Sequence, residues 1–257
     1  MKMHGNTILV TGGGSGIGEA LAQRFHDAGN TVIVAGRRKE ALDAACEGRA
    51  DMHALVLDVE SAEGVRAFVE EALERFPALN VVVNNAGIMH YERLDRSRDL
   101  ALAEAIITTN LVGPIRLIDG FVEHLVARGD GVIVNVSSGL AFVPLTGTAT
   151  YSATKAAIHS YTQSLREMLR GRVEVIELAP PAVQTDLTPG QSTREGYQPL
   201  SEFADEVMAI LAQDPTPEEI LVERVKGFRN AEAEGTHRAI LENLNRVSLK
   251  MFDELGL

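Results

Sequence analysis

Short β-branched and apolar runs alternate with longer helix-capable stretches along most of this chain, and no other property of the sequence restricts the fold as much. Thr7 to Thr11, Thr31 to Ala35, His53 to Leu57, Asn80 to Asn84, Val132 to Ser137 and Val173 to Leu178 have the nearly continuous apolar character of strands covered on both faces. Between them, Gly18 to Ala28, Ala62 to Arg75, Ile106 to Ala127 and Tyr151 to Leu169 can form helices. Repeated crossovers of this kind predict an α/β fold, a doubly wound parallel sheet with helices on both faces. A helix from about Glu202 to Ala212 and a strand around Glu219 to Glu223 bring the expected number of strands to seven. No glycine-serine linker or repeat interrupts the 257 residues, so residues 1–257 are expected to form one domain.

Composition narrows the classes of function. The formal charge of -12, from 24 basic and 36 acidic side chains, argues against a broad nucleic-acid surface while leaving room for a local basic anion site. Cys46 is the single cysteine and has no internal disulfide partner, and the seven histidines show no metal-ligand spacing, so no metal is expected. Apolar runs such as Val81-Val82-Val83 are short for a membrane span, and Met1 to Asn6 leads straight into the first strand without a signal-peptide segment. A cytoplasmic location without membrane association is the expectation.

Ile8-Leu9-Val10 runs directly into Thr11-Gly12-Gly13-Gly14-Ser15-Gly16-Ile17-Gly18, and the first helix begins where the glycines end. Gly12 can turn where a side chain would clash, while Gly16 and Gly18 permit close approach of a ligand and of neighbouring backbone. Unpaired amides at the helix start can then face a pyrophosphate. A glycine cluster between strand and helix therefore points to a dinucleotide site in a Rossmann-type sheet.

The second strand refines the identity of that dinucleotide. An adenosine ribose with free hydroxyls is commonly held by a carboxylate about 20 residues past the first glycines. Here the strand ends Val34-Ala35-Gly36-Arg37-Arg38-Lys39, and a guanidinium suits a 2′-phosphate. NADP(H) is the expected cofactor, with Arg37 the stronger phosphate ligand and Arg38 the weaker. Asp58-Val59, after the third strand, can contact adenine. Asn85, Ala86 and Gly87, after the fourth, can join adjacent loops beside the cofactor.

Further along, Tyr151 and Lys155 stand four residues apart, a spacing that a helix places on one face. With Thr11-Gly-x-x-x-Gly16-Ile17-Gly18, Asn84-Asn85-Ala86-Gly87, Asn110 and Ser138, this pair makes a set that resembles the short-chain dehydrogenase/reductase superfamily over nearly the whole chain. Ser137-Ser138-Gly139-Leu140-Ala141-Phe142, Lys155-Ala156-Ala157-Ile158-His159-Ser160 and Ala179-Pro180-Pro181 are similar to its DltE-like branch. The resemblance implies that Ser138 polarises a substrate oxygen, Tyr151 is the acid/base, Lys155 contacts the cofactor ribose and Asn110 organises water. It also implies a proton route through Asn110, Lys155, the ribose and water. Lys155 and an oxidised nicotinamide are expected to favour the Tyr151 phenolate.

Two departures qualify the match. Pro181 replaces the glycine common in similar enzymes and lacks an amide donor, although Val183 can still bond the nicotinamide carboxamide through its backbone, with Thr185 assisting. Gly14 and Ser15 offer no basic residue in the glycine loop, so the expected NADP(H) preference rests on Arg37.

Residues 186–200 form a candidate substrate-covering loop. Leu140, Phe142, Val143, Pro181 and Leu187 are candidate apolar pocket residues. His90, Glu92, Arg93 and His159 are polar candidates without a diagnostic arrangement, and His159 is read as pointing away from the Tyr151/Lys155 face. The tail 236–255 carries Ile240, Leu244, Val247, Met251 and Leu255 at helical spacing, suited to core packing or to a partner. The leading expectation is reversible carbonyl reduction or alcohol oxidation of a small molecule with NADP(H). An NAD(H)-dependent polyol or hydroxy-acid dehydrogenase and a nucleotide-binding regulatory or scaffold protein are the alternatives. The resemblance implies a homodimer or homotetramer.

Overall fold

In the computed structural model, which describes residues 1–256, seven parallel strands form one sheet in the order β3-β2-β1-β4-β5-β6-β7. The strands are β1 (Thr7–Thr11), β2 (Thr31–Gly36), β3 (Met52–Val56), β4 (Val81–Asn84), β5 (Val132–Val136), β6 (Glu174–Leu178) and β7 (Glu219–Ile220). The helices are α1 (Gly16–Asp27), α2 (Lys39–Cys46), α3 (Ala62–Arg75), α4 (Ala101–Ile107), α5 (Gly113–Arg128), α6 (Ala149–Leu169), α7 (Leu200–Leu211), α8 (Glu223–Arg229) and α9 (His237–Leu255). A π-helical turn, Thr108–Val112, joins α4 to α5. The seven-stranded Rossmann-type sheet expected from the alternating pattern is therefore present.

Alternation along each strand divides its apolar side chains between two cores. On one face Ile8, Val10, Val34, Val83 and Val134 pack with Phe25 of α1 and Phe203 and Val207 of α7. On the other, Leu9, Ile33, Val82 and Ile133 pack with Phe68 of α3 and Leu117 and Phe121 of α5. Burial on both faces explains why the sequence shows apolar runs rather than a polar-apolar alternation.

The amino ends of the central strands are joined by asparagines. Asn6 donates through its backbone amide and its side chain to Asn30 Oδ1, at 2.9 and 2.8 Å, and Asn80 Nδ2 donates to Asn6 Oδ1 at 3.0 Å. The Thr7 amide in turn donates to Asn80 Oδ1 at 3.0 Å. These bonds satisfy buried polar groups at the strand starts of β1, β2 and β4.

Several boundaries differ from the sequence expectation. The stretch expected from Ile106 begins at Ala101 and runs to Arg128 as one helix interrupted by the π turn. Its most apolar 18-residue window has a mean hydropathy of 1.3, enough by length and composition alone to cross a membrane. Leu117, Ile118, Phe121 and Leu125 direct that apolar character into the core beneath the sheet. β7 is only Glu219–Ile220, because the chain turns into α8 at Glu223. Helices α2 and α8 are additions to the predicted set. Helix α9 buries Ser248, Met251 and Phe252, whereas Ile240, Leu244 and Val247 are half-buried. The Leu255 side chain and Leu257 lie outside the described residues.

Candidate active site

The strand order reverses between β1 and β4, so their carboxyl ends diverge and leave a crevice above the sheet. A cleft of about 910 Å³ occupies it, running from the glycine loop and Arg37/Arg38 to Ser138, Tyr151 and Lys155. Thr11 braces the crevice from below: its hydroxyl accepts from the Asn85 and Ala86 amides at 3.0 and 3.1 Å and donates to Val83 O at 3.2 Å. Asn85 Nδ2 returns a bond to Thr11 O at 2.9 Å, so the ends of β1 and β4 are held together beside the cleft.

Gly12 adopts φ +67°, and a Cβ there would lie 2.9 Å from Asn85 Nδ2. Gly18 faces a tighter constraint, since its Cβ would come within 2.4 Å of both Gly12 O and Asn85 Nδ2. Gly18 is thus a packing residue between helix and loop and does not line the cleft, whereas Gly12, Gly14, Ser15, Gly16 and Ile17 do. Helix α1 starts at Gly16 without a side-chain cap, which leaves its first amides available to an anion.

At the β2 end, Arg37 and Arg38 are both exposed. Arg37 Nη1 lies 3.5 Å from Glu60 Oε1, and Arg38 Nη2 donates to Ser15 Oγ at 3.2 Å. Arg38 therefore reaches the glycine loop, while the sequence ranked Arg37 first. Asp58 and Val59 line the adjacent wall, with Asp58 Oδ1 accepting from the Glu60 amide at 3.0 Å.

At the other end, Tyr151 and Lys155 project from α6 into the cleft and are nearly inaccessible, at 7% and 4% exposure. Ser138 is a polar neighbour of the Tyr151 hydroxyl. Ser138 Oγ accepts from the Leu140 amide at 3.1 Å, capping the turn Gly139–Ala141. Lys155 Nζ donates to Val136 O at 2.8 Å and stands 5.5 Å from the Tyr151 ring centroid.

Burial decides the protonation of both groups. It pushes the Tyr151 phenol up to about 12, only partly countered by nearby Ser138, and drives Lys155 down to about 8 against the pull of Glu177. The expected phenolate is thus disfavoured in the cofactor-free protein, because desolvation outweighs any help from Lys155.

Several predicted site residues are placed elsewhere than expected, Phe142 and Val143 among those off the cleft. Asn110, in the π turn and 1% exposed, lies behind the cleft wall rather than on it. Its amide brackets Ile88, accepting from the backbone N–H at 2.8 Å and donating to the carbonyl at 2.9 Å, with Thr154 Oγ1 a further acceptor at 3.3 Å. Leu140 is half-buried in the turn after Ser138 and does not line the cleft. His159 lies just over one turn beyond Lys155, which keeps it on the same side of α6, where Nδ1 meets Glu177 Oε2 at 2.7 Å. Its predicted outward direction is therefore corrected.

Pro181, Val183, Thr185 and Leu187 line the cleft, with Leu187 38% exposed at the mouth. The loop 186–200 folds back so that Val183 bridges Gln198. Gln191 organises this loop, donating to Val183 O at 2.8 Å and Thr185 Oγ1 at 3.1 Å and accepting from Thr188 Oγ1 at 2.8 Å.

The family model for short chain dehydrogenases matches residues 6–196. The chain is 40% identical to the uncharacterized oxidoreductase DltE of Bacillus subtilis, over 90% of this chain and 93% of that protein. The chain belongs to the short-chain dehydrogenase family. Among solved structures, a short chain dehydrogenase from Burkholderia cenocepacia in complex with NADP superposes with a TM-score of 0.80 at 26% identity, covering 95% of this chain and 99% of that one. The 3-ketoacyl-(acyl-carrier-protein) reductase of Brucella melitensis, complexed with NADH, gives 0.75 at 28% identity over 84% and 93% of the two chains.

Three residues that shape this short-chain dehydrogenase were not singled out for those roles by sequence. Gln191 had no signal, since a glutamine in a polar loop looks solvated. Glu92 accepts from Thr150 N, with a second bond from Thr150 Oγ1 at 2.9 Å, and so caps α6 from a distant loop. Glu177 could have been noticed as a lone acid in the apolar run Val175-Ile176-Glu177-Leu178.

Proposed function

We propose that this short-chain dehydrogenase reduces the carbonyl of a small molecule, or oxidises the corresponding alcohol, with NADP(H) as coenzyme. The observation that carries this reading is the placement of Ser138, Tyr151 and Lys155 together at one end of a continuous cleft whose other end holds the uncapped α1 terminus and two arginines. The residues fit a dinucleotide: the Gly12–Gly18 contact leaves no room for side chains in the loop, and the α1 amides suit a pyrophosphate. Arg37 and Arg38, with Ser15 beside them, suit a 2′-phosphate.

When bound, the coenzyme supplies or accepts the hydride. Ser138 Oγ orients the substrate oxygen next to the Tyr151 hydroxyl. Reduction needs a proton at that oxygen, and burial keeps one on Tyr151. Tyr151 then gives up this proton to the developing alkoxide, and in oxidation, starting as the phenolate, takes one from the alcohol. Lys155, held by Val136 O, brings positive charge to the same pocket, where it steadies the phenolate left after proton transfer. Asn110 maintains the loop wall through Ile88. Loop 186–200, fastened by Gln191, covers the substrate and excludes water.

An NAD(H) reading is favoured by one observation: Arg37 is within 3.5 Å of Glu60, whose charge would oppose a 2′-phosphate. Fluorescence titration with both reduced coenzymes decides between the two. NADPH is expected to bind more tightly, and Arg37→Ala to weaken NADPH selectively. Tighter NADH binding, unchanged in Arg37→Ala, overturns the phosphate assignment. Turnover is then sought with aldehydes, ketones, alcohols and hydroxy acids by nicotinamide absorbance. Firm coenzyme binding without turnover, together with a reproducible protein partner, would favour a regulatory role. Light scattering tests the proposed homodimer or homotetramer.

A further inference from the structure

Glu177 is a buried acid that the proposed reaction leaves without a task. It lies on β6, 1% exposed, between core residues Ile176 and Leu178. A carboxylate in such a place is costly unless it is paired. Both of its oxygens are engaged: Ser137 Oγ donates to Oε1, and His159 Nδ1 lies 2.7 Å from Oε2.

These partners connect Glu177 to the site on two sides. Ser137 directly precedes Ser138, and His159 follows Lys155 by one turn of α6. Around the pair, Gln163 Nε2 lies 3.3 Å from His159 Nε2, and Phe142 meets the imidazole edge-on at 5.1 Å. Glu219 of β7 brings a carboxylate oxygen within 4.8 Å of the His159 and Glu177 ligand atoms. A cation already serves Glu219: Arg229 of α8 donates to it at 2.7 and 3.2 Å and stacks 5.3 Å over Phe142. Glu177, His159, Glu219 and Arg229 thus form one connected cluster running outward from His159, one turn of α6 beyond Lys155.

We propose that Glu177 is a positioning residue: it anchors Ser137, and through it the Ser138 turn, and sets a negative charge against His159 one helical turn from Lys155. The inference rests on the nicotinamide-dependent reading of the site. The directions of titration agree with it, since Glu177 opposes the burial that lowers Lys155 and holds His159 above the ordinary imidazole range. Removing the charge would leave Lys155 to burial alone, so the ammonium would lose its proton at lower pH. His159 would likewise give up its proton at lower pH.

Two measurements test this. Histidine-labelled NMR of the coenzyme-free protein, with His159 assigned from His159→Gln, should show its titration moving to lower pH in Glu177→Gln. The pH profile of kcat/KM for the coenzyme, which reports the free enzyme, should show its alkaline limb moving down by about one unit in Glu177→Gln. Glu177→Asp, which keeps the charge, should restore much of that limb. If Glu177→Gln does not fold, Glu177→Gln/His159→Gln removes the carboxylate and its imidazole partner together and should still show a displaced limb, by less than the single variant. An unmoved His159 titration, or a limb that superimposes on that of the wild type while activity is merely scaled, overturns the proposal. A wild-type protein that binds no coenzyme instead defeats the reading of the site, and the NMR titration alone then decides the Glu177–His159 pairing.

Discussion

Tyr151 keeps its proton because water scarcely reaches it, which on the proposed mechanism makes it a natural donor in reduction and a reluctant base until a positive charge arrives. Tyr151→Phe removes only the hydroxyl, so turnover should fall by about 10²–10⁴-fold while coenzyme affinity, read by fluorescence, stays close to wild type. Lys155 has the opposite problem, an ammonium in a dry pocket with a pKa lowered to about 8 from 10.5. Between those values the unfolded chain binds the proton and the folded one does not, so this group makes the protein more stable as pH rises through that window. Melting temperatures of wild type and Lys155→Met at pH 7.5 and 9.5 should therefore show the wild type gaining relative to the variant. An equal difference at both pH values would contradict the depressed lysine.

Helix α6 presents the phenol and the ammonium, yet its amino end is fastened by a residue from outside the helix. Thr148 at the N-cap makes no side-chain cap, and the Glu92 carboxylate does that work, held in turn by Arg98 at 2.9 Å. Glu92→Ala should cost about 1 kcal/mol in urea unfolding, with a loss of turnover that Glu92→Gln partly avoids. A core position gives a larger effect without specificity for the site. Phe121 of α5 is fully buried, and Phe121→Ala should destabilise by about 3–5 kcal/mol, whereas Met168→Ala, at a position 72% exposed, should change stability by less than about 0.5 kcal/mol. The same contrast explains what could be read in advance. Helices with strong periodicity were visible, but α2 and α8 are eight and seven residues long and owe their form to packing, α2 on β2 and β3 and α8 on the turn Gly139–Ala141.

For the molecule as a whole, the sheet was legible because burial on both faces writes itself into sequence as apolar runs. The lining of the cleft was legible where backbone geometry demands a residue type, as at Gly12, or where a motif falls at a strand end, as at Asn85 and Arg37. What could not be read was tertiary: that Asn110 brackets Ile88, that Gly18 packs on Gly12 and Asn85, and that Glu177 meets His159 across two elements. Those relations depend on distances between segments far apart in the chain, and no local spacing encodes them. The asparagine bonds joining Asn6, Asn30 and Asn80 close the amino edge of the sheet, while everything reactive gathers at the carboxyl edge. The protein therefore has a foundation and a workbench at opposite ends of the same strands. Loops on the working side can vary with the substrate while the foundation remains untouched.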